Sequence, residues 1–86
     1  MSSLTTKFAE VIKKARREAG YTQEQLAEIV DITPRSLQYL EAGAWLPHPT
    51  TMLRLMSVLR IDVDTFREEV VQDVPLFLLQ GKKTRR

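Results

Sequence analysis

The chain has 86 residues, of which 43% are hydrophobic, 28% are charged and none is cysteine. That length supports one small domain with a modest core, and the lack of cysteine excludes disulfides, thiol chemistry and cysteine-ligated zinc. The net charge of +2 comes from the end of the chain: without Lys82, Lys83, Arg85 and Arg86, nine basic residues face eleven acidic ones, a balance of −2.

Global charge therefore does not argue for a nucleic-acid partner, and any such surface would have to be local. Lys7, Lys13, Lys14, Arg16 and Arg17 crowd the first part of the chain, opposed there by Glu10 alone. No apolar run approaches the roughly 18 residues of a membrane span. The N-terminal stretch lacks the apolar segment of a signal peptide, so a cytoplasmic protein is expected.

In chain order, Phe8, Val11, Ile12, Ala15 and Ala19 recur at spacings of three and four, which predicts a helix from about Thr5 to Ala19. Gly20 stops it. Thr22 to Gln25 reads as a capping box, with Thr22 as N-cap and Gln25 at the third helical position. Leu26, Ala27 and Val30 then form the inward stripe of a short second helix. Thr33 caps a third helix whose first residue is Pro34, a position where proline is well tolerated. Leu37 and Leu40 point inward and Gly43 ends the helix.

Residues 44–49 predict a loop, because Pro47 and Pro49 disfavour helix there. Thr50 or Thr51 is expected to cap a fourth helix with Met52, Leu53, Leu55, Met56 and Leu59 as a broad apolar stripe. Asp62 or Asp64 is expected to cap a short fifth, with Val63, Phe66 and Val70 inward. The division expected is a domain over residues 4–70 and a C-terminal extension over 71–86. The extension holds an apolar segment, 75–80, and a basic, disordered tail, 81–86.

Two short helices joined by only Asp31, Ile32 and Thr33 meet at a steep angle, as in a helix-turn-helix. The third helix then buries Leu37 and Leu40 and leaves another face free. Pro34, Arg35, Gln38 and Tyr39 fall on that face or its borders. Arginine and glutamine there carry the hydrogen-bonding groups that read guanine and adenine edges in the major groove. The unpaired backbone N–H groups after Thr22 and Thr33 suit phosphate oxygens.

The stretch from Phe8 to Val70 resembles the Cro/phage-repressor-type helix-turn-helix regulators, also called the xenobiotic-response-element family. The marks are Arg16 before Gly20, TQEQLA at 22–27, ITPRSLQYLEAG at 32–43, Pro47, and LRIDVDTF at 59–66. The resemblance implies an all-α, five-helix, lambda-repressor-like DNA-binding domain with a short C-terminal extension. It implies that Gln23 touches a DNA phosphate and braces the recognition helix. It places Thr33, Pro34, Arg35 and Tyr39 where that helix meets bases and backbone, with Ser36 and Gln38 near it and Thr22 at the neighbouring helix start. Arg16 and Glu41 match a salt bridge between the first and third helices. Binding as a homodimer to two-fold-related half-sites on double-stranded DNA is also implied. The chain departs from the family in two places. Pro34 stands where a base-reading amide is common, and Ala44-Trp45-Leu46 stands where the loop is commonly basic or polar.

The function expected is a sequence-specific transcriptional regulator, most simply a repressor that reads the major groove with the helix from Thr33 to Ala42. The alternative is a protein-interaction module, such as an antitoxin-like subunit, on the same scaffold. Trp45 and the run Leu76, Phe77, Leu78 and Leu79 are candidate partner contacts. The run over 75–80 either folds back onto the bundle or forms a seam with a second copy or another protein, and the seam is the favoured reading. Glu24, Glu28 and Asp31 make an acidic face that is either solvated or contacts RNA polymerase; a toxin-like protein is a further candidate partner. One histidine and no cysteine leave nothing to build a catalytic site on, so no enzyme, metal or cofactor is expected, and no membrane partner.

Overall fold

The computed structural model describes residues 3–72. Their order is α1 (Leu4–Ala19), α2 (Gln23–Val30), α3 (Pro34–Glu41), α4 (Pro49–Leu59), a 3-10 turn (Val63–Phe66) and α5 (Arg67–Val71). There is no strand among the described residues, and no helix of theirs is long and apolar enough to cross a membrane. The all-α architecture of five helices agrees with the sequence reading.

Local chemistry sets each helix start. The Ser3 side chain accepts from the Thr6 N–H and opens α1. At α2 the capping box is complete: Thr22 Oγ1 accepts from Gln25 N at 3.0 Å, and Gln25 Oε1 accepts from Thr22 N at 2.9 Å. At α3, Thr33 Oγ1 accepts from Ser36 N at 3.1 Å and Pro34 occupies the first turn. Each cap satisfies an N–H that the helix itself leaves unpaired. The exits use left-handed backbone at Gly20 (φ 86) and Gly43 (φ 80), where glycine avoids a Cβ clash, and also at Asp31 (φ 65) and Arg60 (φ 58).

The apolar stripes converge on one core. Phe8 and Ile12 from α1, Leu26 and Val30 from α2, Leu37 and Leu40 from α3, and Leu55 from α4 are fully or almost fully buried. Phe66 closes the far end against Phe8, ring centroids 5.3 Å apart and planes tilted by 44°. An aromatic pair in that range adds about 0.5–1.5 kcal/mol beyond area burial.

Three expectations are corrected. The cap of α4 is His48, two residues earlier than Thr50, because Pro49 takes the first helical position and His48 Nδ1 accepts from Thr50 N at 3.3 Å. The proline read as a loop signal is thus a helix opener, for the same reason as Pro34. Leu53 is 64% exposed, so the inward stripe of α4 is narrower than its composition suggests. Val63 and Val70, expected inward, are 66% and 55% exposed. Only Phe66 anchors that end, since its 3-10 turn and the short α5 turn at different rates and do not hold one stripe.

A candidate nucleic-acid interface

α3 is built to show one face and hide the other. Leu37, Leu40 and Glu41 are buried, while Pro34, Arg35, Gln38 and Tyr39 are exposed. Arg35, Gln38 and Tyr39 lie three and four positions apart, so they share one strip of helix surface. Arg35 sits in the first turn, which contains no acidic residue. A cation there opposes the positive end of the helix dipole, and a bound anion relieves that conflict.

The hydroxyls beside the strip differ in what they have left to give. Thr33 accepts from Ser36 N and donates to Ser36 Oγ at 2.9 Å, so its proton is committed. Ser36 keeps its own O–H for an outside acceptor. Thr22 also keeps its proton, because its oxygen only accepts, from Gln25 N.

A buried polar hub fixes how α3 is presented. Glu41 binds Arg16 in a fork, through Nε at 2.7 Å and Nη2 at 3.0 Å. Arg16 Nη1 donates to the Tyr21 carbonyl at 2.9 Å. Gln23 Nε2 donates to Glu41 Oε1 at 3.0 Å. Arg16 and Glu41 are each only 8% exposed. The hydrogen bond that Arg16 donates to Glu41 raises the Arg16 pKa above its ordinary value, and burial pulls in the opposite direction. One carboxylate thus ties α1, the start of α2 and the end of α3 together. The bridge and the bracing by Gln23 were both implied by the resemblance. Their cause is visible here as charge-assisted, two-pronged hydrogen bonding.

Among the proposed partner contacts, Trp45 is half-buried, while Leu46 packs against the core. Leu76, Phe77, Leu78 and Leu79 lie outside the described residues, as does most of the expected C-terminal extension. The sequence reading passed over Ile29, which is 50% exposed on α2. Its signal was available: a large apolar side chain off the Leu26-Ala27-Val30 stripe. No group of three or more histidine, cysteine, aspartate or glutamate residues able to hold a metal occurs among the described residues.

A family model described as helix-turn-helix matches residues 12–66. The chain belongs to this helix-turn-helix family. A relative of this helix-turn-helix protein is the SPbeta prophage-derived uncharacterized HTH-type transcriptional regulator YonR of Bacillus subtilis (strain 168). The two are 32% identical over 57 residues, which make up 66% of this chain and 53% of the relative. The chain therefore spans about half of that relative's length. The crystal structure of the clp gene regulator ClgR from Corynebacterium glutamicum superposes with a TM-score of 0.70 at 21% identity. The match covers 98% of this chain and 89% of that one, a likeness of fold.

Proposed function

We propose that this helix-turn-helix protein is a sequence-specific DNA-binding transcriptional regulator, a repressor that occludes a promoter by seating α3 in the major groove. The observation that carries the reading is the α3 strip. Arg35, Gln38 and Tyr39 face solvent together on a helix whose other face is buried and whose end is locked by Glu41. Arg35 reads a guanine edge or a phosphate, Gln38 an adenine edge, and Tyr39 the sugar-phosphate backbone. Thr22, Gln23, Thr33, Pro34 and Ser36 flank these contacts at the two helix starts, where N–H groups meet phosphate oxygens. Two copies bind related half-sites with centres about 10–11 bp apart. Val63 and Val70, exposed beside Asp64 and Arg67, form an apolar seam with complementary charges for a two-fold contact.

Selection of bound duplexes from a random pool tests this reading. A palindrome with that spacing, bound in a salt-dependent way, is the expected result. A pool that never rises above nonspecific binding sinks it.

A second reading, a protein-interaction or antitoxin-like module, is favoured by the apolar side chains left in the open and by the half-buried Trp45. The exposed acids Glu24, Glu28 and Asp31 on α2 add a surface for RNA polymerase or a toxin-like protein. Co-purification of a stoichiometric partner that Trp45→Ala weakens would favour this reading.

A further inference from the structure

Ile29 and Leu53 are 50% and 64% exposed, and they are not scattered. They line one cleft between α2 and α4 together with Thr50, Arg54, Ser57 and Val58. Ile29 also borders a second cleft, where α1 runs into α2, and Glu28 lines it with Tyr21 and Gln25. The result is an apolar groove that continues into an acidic rim. The rim has a second source of negative potential. The last turn of α2 contains no basic residue, and its C-cap is Asp31. Acidic groups at the negative end of a helix dipole are unfavourable until a cation approaches. Arg54 meets part of that demand through Nη1, which donates to the Val30 carbonyl at 3.5 Å.

Residues 75–86, PLFLLQGKKTRR, carry the complementary chemistry in the same order: four large apolar side chains, then Lys82, Lys83, Arg85 and Arg86. An apolar run of that size in water calls for cover, and so does the groove. The segment leaves the described chain within reach of the groove's edge at Val58. Val63, Val70 and Val71 share one cleft near the end of α5. Val58, at the edge of the groove, is five residues before Val63, so at most about 18 Å of chain separates them. Beyond Gln72, Phe77 to Leu79 can extend roughly 17–25 Å and the basic residues further still.

We propose that residues 75–86 seat on their own chain in the α2–α4 groove, with Leu76 to Leu79 against Ile29, Leu53 and Val58 and the basic end against Glu24, Glu28 and Asp31. This assignment replaces the seam expected for the segment and is independent of whether α3 binds DNA.

The chain has no cysteine, so Gln80→Cys gives a unique site for a nitroxide label. The test is paramagnetic broadening of the NMR signals of the labelled full-length protein. The expected result is strong broadening at Ile29, Leu53 and Val58 that is unchanged on dilution. Leu53→Asp in the labelled chain removes it, and raised salt weakens it. Both substituted positions are polar or well exposed, and the remaining spectrum verifies that the fold persists. Broadening centred on Val63 and Val70 would overturn the proposal. So would broadening of unlabelled, isotope-enriched copies when labelled ones are mixed in, because the segment would then sit on a second copy. No broadening anywhere in the groove would also end it.

Discussion

Glu41 shows how much a single side chain decides here. Its carboxylate receives the fork of Arg16 and the amide of Gln23, all at 2.7–3.0 Å and largely out of water. Arg16→Ala or Glu41→Ala strands a buried charge, so each is expected to cost about 3–5 kcal/mol in urea unfolding. Replacing both at once, Arg16→Met with Glu41→Leu, should recover most of that stability, since an apolar pair of similar size needs no ion-pair desolvation. Because the arginine pKa is raised on folding, the contribution is complete below the ordinary arginine value and fades only as pH rises through the higher folded one. Working pH therefore leaves the bridge untouched. Arg35 is the opposite case, exposed and without structural duty. Arg35→Ala should leave the unfolding midpoint within about 0.5 kcal/mol of the parent. It should weaken a selected operator by about 1–3 kcal/mol and relax preference at one base pair. Equal loss on all sequences would mean that Arg35 touches only phosphate.

The helices differ in how openly the sequence announced them. Caps are written within four residues, so Thr22 with Gln25 and Thr33 with Pro34 were legible from local pattern. Thr33→Ala should cost about 0.5–2 kcal/mol, measured by thermal or urea unfolding. The exit of α1 was equally plain. Gly20 sits at φ 86 with nothing within 4 Å of an added Cβ, so Gly20→Ala isolates backbone strain from steric clash and is expected to cost about 1–2 kcal/mol. Other features depended on partners far along the chain. The Arg16–Glu41 pair spans a separation of 25 residues, and only a family resemblance made it visible. Leu53, Val63 and Val70 were misplaced because an apolar residue near a stripe looks the same whether or not a neighbouring helix covers it. Pro49 was misread because proline ends one helix and begins another, and His48 is an uncommon cap.

At the scale of the whole molecule, five of the nine basic residues of the described part lie on α1 and α3 carries Arg35 alone, so DNA affinity through α3 should rest on few phosphate contacts. Each phosphate charge neutralised adds about 0.9 to the slope of log K against log salt. A shallow slope is expected for this helix-turn-helix protein, and Gln23→Ala should lower affinity without changing that slope, since its amide carries no charge. If Val63 and Val70 form the seam, Val70→Asp should convert a dimer to a monomer in sedimentation equilibrium and leave unfolding of the monomer nearly unchanged.

The tie between Glu41, Arg16 and Gln23 also bears on time. If α3 is the recognition helix, three hydrogen bonds from its far end to two other elements leave it no orientation to find after it meets DNA. Encounters then succeed or fail on first contact, and the rate of association is set by diffusion and charge rather than by ordering. Loosening the tie would surface as slower capture of the operator, with residence on it changed far less.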